Sequence, residues 1–246
     1  MNGDGMSEQN LRENPAGPPR INERNYNVES EYEYGSRAGI WRLFRLLKKY
    51  GIKYTRYAVA QAVEQQPEVV RRSVEEGHDV ASHVEKGKDF IRRAITSLKS
   101  LSGYAPKGWY YGRKSPQSRV LVPQAYKEMG EELIWCSDTY ADDVPYWLDL
   151  PYEKDLADPR GLLMVPYSHL KNAFDVLCEE GEEGMPKMMT IGLHWRMLSI
   201  DRSGRIGALR DFVDYIIKKD SVWVATRTEI AEAFKSNHPH SRGQIV

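Results

Sequence analysis

QPEVVRRSVEEGHDVASH, residues 66–83, contains the unit that repeats through most of the chain. Its first part reads as a helix stopped by Gly77. Its second part, HDVASH, reads as a short apolar strand ending in His83. Upstream, GIWRLFRLLKKY (39–50) places Ile40, Leu43, Phe44, Leu46 and Leu47 at helical spacing before Gly51, and IKYTRYAVA is a β-branched and aromatic run. Downstream, a helix over about 88–101 is followed by the strand KGWYY. The largely helical SPQSRVLVPQAYKEMG is followed by the strand LIWCSD, and LLMVPY by the helix SHLKNAFDVLCEEG. KMMTIGLH and SVWVAT read as the last strands, each with a helix behind it, the second being RTEIAEAFKSN. Alternation of this kind argues for an α/β fold of parallel strands with right-handed crossovers. The short, continuous apolar strands fit a sheet covered on both faces. A βα barrel and an open doubly wound sheet both satisfy the pattern.

The bulk composition removes several classes. The chain has 246 residues, with 35 Lys+Arg against 35 Asp+Glu. That balance lacks the basic footprint of a nucleic-acid binder, and no polybasic block points to a membrane surface. The first βα unit has no glycine fingerprint and there is no phosphate-binding loop, so nucleotide binding is not expected. Two cysteines, Cys136 and Cys178, are too few for a disulfide scaffold and read as buried free thiols. No apolar run approaches the roughly 20 residues of a membrane span, and the polar N-terminus has no apolar signal core. A cytoplasmic protein is expected. Residues 1–25 read as a disordered tail, 26–236 as the folded domain and 237–246 as a second loose tail.

In a βα barrel the chemistry gathers at the C-terminal strand ends. Those ends read Gln61, His83, Tyr111–Gly112–Arg113, Asp138 with Asp142 and Asp143, Tyr167, His194 with Arg196, and Thr226–Arg227. His83 and His194 each follow an apolar strand and could serve as acid–base groups near neutral pH or as hydrogen-bonded structural groups. Arg113 suits either a capping loop or a guanidinium that binds a carboxylate or polarises an amide carbonyl. Asp138, Asp142 and Asp143 could hold a ligand or shape a loop. Arg56 is out of place in a strand covered on both faces: either it turns inward toward an acid or its strand is an edge. A metal-dependent hydrolase would place a second histidine about four residues after His83, but that position is Gly87, and the next histidine is His169.

The phrases NVESEYEYGSRAGIWRL, DVASH, GWYYGRKSP, SDTYADDVPYW, PKMMTIGLHWR and VWVATRTEIA, in this order, resemble the cofactor-independent allantoinase branch of the polysaccharide deacetylase (NodB-like) superfamily. The resemblance spans residues 26 to about 238. It implies a distorted (β/α) barrel and hydrolysis of a carbon–nitrogen bond that is not a peptide bond, in a small amide or an N-acetyl sugar. Many members of the superfamily hold a divalent metal with one Asp and two His; this branch is expected to work without it, so no metal and no cofactor are expected. By the match, His83 or His194 would activate water, Arg113 would steady the oxyanion, and Asp138 would orient a histidine or the substrate. Glu33, Ser36, Arg37, Tyr111, Asp142, Asp143 and Arg196 would bind substrate.

The departures from the pattern are specific. The acidic strand phrase with which the family opens has no counterpart before Asn25, the segment after His83 runs almost directly into a helix, and the segment after VPY is short. A barrel lacking its first strand is therefore expected, with an unpaired edge that invites a homo-oligomer. A catalytically impaired relative with a binding role, or with no stable role, is the alternative.

Overall fold

Gly77 has a φ of +74°, a left-handed conformation that glycine adopts without a Cβ clash. It separates the helix Pro67–Glu75 from the strand Asp79–His83, as the spacing requires. The computed structural model describes residues 26–83, 87–111, 117–150, 161–167, 174–194 and 202–241. Expectations for residues 1–25, Gly112, Arg113 and Arg196 lie outside the described residues. In chain order the elements are α1 (Tyr26–Tyr34), α2 (Ile40–Lys49), β1 (Thr55–Ala58), α3 (Ala60–Gln65), α4 (Pro67–Glu75), β2 (Asp79–His83), α5 (Lys88–Ser102), β3 (Gly108–Tyr110), α6 (Ser118–Met129), β4 (Trp135–Ser137), β5 (Tyr146–Asp149), β6 (Gly161–Met164), α7 (Phe174–Glu182), α8 (Arg202–Ile216) and α9 (Arg227–Asn237). A π-helical turn, Gly35–Gly39, joins α1 to α2.

The described residues fall into two compact units. The first comprises the described residues within Met1–Gly51 and Gly192–Lys218. Within it α2 packs against α8, and α2 buries Ile40, Leu43, Phe44, Leu46 and Leu47, the apolar stripe that its spacing defines. The second unit comprises Ile52–Ile191 with Lys219–Val246 and contains the sheet.

The sheet has six strands in the order β1-β2-β3-β4-β6-β5. β1, β2, β3, β4 and β6 are parallel, while β5 runs antiparallel to β6. Because side chains alternate across a strand, neighbouring residues go to opposite faces. On the outer face Trp109, Tyr111, Cys136, Leu162 and Met164 pack with Ile91, Ala94 and Ile95 of α5 and with Val122, Ala125 and Tyr126 of α6. Ala58 and Val80 continue that face against Val63, Val70 and Leu98. On the inner face Ala81, Trp135, Leu163 and Val165 pack with Ala231 of α9 and with Tyr57, Ile230 and Phe234.

Trp135 organises the inner face. It is fully buried, and its indole N–H donates to Thr228 Oγ1 at 2.9 Å. The ring occupies the space beside Gly108, where a Cβ would meet its atoms at 2.0–2.7 Å.

Several expectations are corrected. KMMTIGLH and SVWVAT form no ladder with the sheet among the described residues. An extended apolar run becomes a strand only beside a partner, and here Ile191 and Trp223 are exposed instead. β5 lies between LIWCSD and LLMVPY, where no strand is expected; it forms because residues 146–149 return antiparallel to β6. The C-terminal tail is tied down at its start: the Trp147 indole donates to the His238 carbonyl at 2.7 Å, and His240 Nε2 lies 2.8 Å from an Asp149 oxygen. Cys136 is buried but Cys178 only half so, and both are free thiols. Among the described residues β1 ends the sheet, and the buried Arg56 donates from Nη2 to the Tyr54 hydroxyl at 2.8 Å. No helix among the described residues is long and apolar enough to cross a membrane.

Gly108→Ala should destabilise the protein by about 1–3 kcal/mol, because the methyl overpacks the Trp135 seat. Urea unfolding of the variant beside wild type measures it, and equal midpoints would contradict the packing described.

Candidate active site

The C-terminal ends of the parallel strands carry a layered set of rings on the inner face. His83 closes β2 and is half-buried. Its ring meets the Tyr110 ring edge-on at 4.9 Å and the Tyr57 ring at 6.3 Å. Tyr57 stacks on Tyr110 at 4.7 Å, and Tyr110 lies 5.8 Å from Tyr167. Tyr140, more than half exposed, stands edge-on to Tyr167 at 6.0 Å and marks the outer limit of the layer.

These positions follow from strand geometry. Thr55 and Tyr57 share a face of β1, as do Asp79, Ala81 and His83 of β2. The parallel register sets His83 beside Tyr110 and Tyr110 beside Ser137. Tyr167 is held from behind: its N–H donates to the Thr139 carbonyl at 2.9 Å, and Thr139 Oγ1 accepts from the Tyr146 hydroxyl at 2.8 Å.

Beneath the rings lies Arg227, the first residue of α9. A capping box fixes that helix start: the Thr226 N–H donates to Glu229 at 2.7 Å, and the Glu229 N–H returns a bond to Thr226 Oγ1 at 3.2 Å. The Arg227 backbone N–H donates to Thr55 Oγ1 at 2.7 Å. Its guanidinium donates to Ser137 Oγ (3.1 Å), the Val165 carbonyl (2.7 Å), the Pro166 carbonyl (3.0 Å) and Thr190 Oγ1 (2.8 Å). Its charged carbon lies 5.5–5.8 Å from the ring centres of Tyr57, Trp135 and Tyr167.

Deeper still, Asp79 accepts from Thr55 Oγ1 at 2.9 Å and from Thr228 Oγ1 at 2.8 Å. Loss of water raises its pKa above the ordinary carboxylate value, and these hydrogen bonds oppose the rise without cancelling it. Burial also pushes the Tyr110 phenol up to about 12 and raises Tyr57 and Tyr167. These three phenols are therefore protonated donors at neutral pH.

The predicted residues divide. His83 sits in the ring layer. Tyr111 faces the other way: it is buried in the outer core, with its hydroxyl 3.2 Å from the Cys136 sulfur. Asp138 accepts a two-pronged pair of bonds from Arg119 of α6, at 2.7 and 2.9 Å. Asp142 is exposed and caps its own turn, accepting from the Asp143 and Val144 N–H groups. Asp143 is exposed and receives the Met188 N–H on its carbonyl. Glu33, Ser36, Arg37 and His194 belong to the helical unit; Arg37 pairs with Glu33 one turn away at 3.6 Å, and His194 is exposed. Tyr57, Tyr110, Ser137 and Tyr140 belong to this arrangement without having been singled out, and Arg227, read only as one of the strand-end residues, lies beneath it.

Gly87 stands four positions after His83, and among the described residues no group of three or more His, Cys, Asp or Glu could hold a metal ion.

The polysaccharide deacetylase family model matches residues 23–132. A Schizosaccharomyces pombe protein classed with the polysaccharide deacetylases is 39% identical over 254 residues, which covers 88% of this chain and 79% of the relative. The chain belongs to the polysaccharide deacetylase family. Two solved structures share its fold closely. The Puue allantoinase has a TM-score of 0.80 at 35% identity, and a Pseudomonas aeruginosa PAO1 protein classed as a polysaccharide deacetylase has 0.78 at 36%; each comparison covers 92% of this chain and 82% of the other. The α/β architecture of NodB type is thus established, with the sheet open among the described residues. With the family comes its chemistry, hydrolysis of a carbon–nitrogen bond other than a peptide bond.

Asp79 gives this deacetylase-family chain a measurable pH signature. Its raised pKa means that, between the unfolded and the folded values, the folded state holds a proton which the unfolded state has lost. Its contribution is therefore fully present below the unfolded value and disappears as pH rises through the folded one. Asp79→Asn should flatten the fall in stability over that window, measured as urea midpoints across acidic pH; a variant with the wild-type slope would contradict the assignment.

Proposed function

We propose that this chain hydrolyses the amide bond of a small molecule or an N-acetyl sugar without a metal ion, and that His83 is its acid–base group. The observation that carries the reading is the position of His83 at the C-terminal end of β2, edge-on to Tyr110, with the phenols of Tyr57 and Tyr167 in the same layer. His83 takes a proton from water as the water oxygen bonds the carbonyl carbon. The carbonyl oxygen becomes an oxyanion, and the Tyr110 phenol, protonated at neutral pH, donates a hydrogen bond to it. His83 then returns the proton to the departing nitrogen as the carbon–nitrogen bond breaks, which leaves an acid and an amine. Asp142 and Asp143, exposed on the loop that precedes β5, supply polar groups for substrate outside this centre. The free thiols of Cys136 and Cys178 support a reducing, cytoplasmic compartment.

The test is hydrolysis of allantoin and of N-acetylated chito-oligomers by purified protein, with and without chelator, beside His83→Ala. Turnover should survive the chelator, and His83→Ala should lower it by about 100-fold or more. Loss of turnover to chelator would overturn the metal-free reading. Absence of turnover in folded wild-type protein would favour the impaired relative.

A further inference from the structure

Arg227 carries a charge that its partners do not neutralise. It is only 6% exposed, and its guanidinium is met by two hydroxyls, two backbone carbonyls and three aromatic rings. No carboxylate among the described residues contacts it. A buried cation held only by neutral groups is costly. Its field extends into the site because no described carboxylate touches the guanidinium and the surroundings screen it weakly.

That field points to a defined place. Tyr57 and Tyr167 lie directly against the guanidinium, Tyr110 lies against both of them, and His83 lies against Tyr110. The cation is thus one ring layer below the point where the reacting carbonyl would sit. We propose that Arg227 is a positioning residue for the hydrolysis, whose charge, passed through the Tyr57 and Tyr167 rings, polarises the phenol layer toward the developing oxyanion. The proposal rests on the reading of His83 and Tyr110 given above. The guanidinium presents its charge to the ring faces, which draws electron density from the phenols and strengthens their O–H groups as donors. The direction of the phenol pKa values agrees: burial raises Tyr57, Tyr110 and Tyr167, and the Arg227 charge lowers each of them in part. The same guanidinium ties the ends of β4 and β6 to the segment that holds Thr190. The rings are thereby kept in register without a ladder on that side.

The experiment compares Arg227→Lys and Arg227→Met with wild type, with folding checked by circular dichroism and thermal melting. On the amide that wild type hydrolyses, Arg227→Met should lose about tenfold or more in kcat, with little change in KM, because the interaction strengthens only in the transition state. Arg227→Lys, which keeps the charge, should recover most of kcat although it cannot reproduce the forked hydrogen bonds. A purely structural role would instead lower the melting temperature of both variants together and leave kcat per folded molecule unchanged, which would overturn the proposal. If Arg227→Met fails to fold, Tyr167→Phe takes its place: a comparable loss of kcat is expected, and wild-type kcat would overturn the proposal. If wild type hydrolyses no amide, the functional reading fails. Arg227 is then read by titrating tyrosinate absorbance: Arg227→Met should need a higher pH than wild type to ionise its phenols, and coincident curves would overturn the proposal.

Discussion

Holding a guanidinium away from water requires that each of its N–H groups find an acceptor, and the inner half of the sheet is arranged around doing this for Arg227. Ser137 closes β4 with a hydroxyl, the chain leaves β6 through the Val165 and Pro166 carbonyls, and Thr190 supplies a second hydroxyl from a segment with no ladder of its own. The capping box sets the start of α9, so the side chain leaves the helix where these acceptors converge. Three rings then enclose the charge. Trp135 is one of them, and its own position depends on the missing side chain at Gly108 and on a hydrogen bond to Thr228, the residue after Arg227.

The two faces of the sheet do different work. The outer face is a conventional apolar core against α3–α6, dry enough to push the Cys136 thiol up to about 12. The inner face mixes aromatic, hydroxyl and charged groups, and its hydrogen bonds run from Asp79 through Thr228 to Trp135 and from Thr55 to the start of α9. A network of this kind is rigid only when its members are satisfied.

The repeating helix–strand texture made most elements legible from sequence, because apolar period and glycine stops are local signals. What was not legible depended on facing and on partners. Tyr110 and Tyr111 are adjacent and chemically alike, so composition cannot say which turns toward the histidine; the register with β4 decides it, through Ser137. Asp138 is one residue past Ser137, and so it turns to Arg119 instead of to the rings. KMMTIGLH and SVWVAT have the composition of strands, but a ladder needs a neighbour at the right distance. Arg227 reads as a residue at a helix start, and nothing local announces that its charge is buried. The alternation of Thr55 and Tyr57 about Arg56 was the available signal for the inner face.

The bond between Arg227 and Thr55 joins residues 172 apart in the chain, and that between Trp135 and Thr228 joins residues 93 apart. The outer core is made largely by segments that follow one another closely, so it can assemble early. The inner face has to wait, because contacts that close such long loops form late in folding. Until α9 docks, the ring face lacks both the helix that covers it and the cation on which it is centred, and in that interval the chain is most open to association with others. Docking of α9 closes the face and delivers the charge in one step.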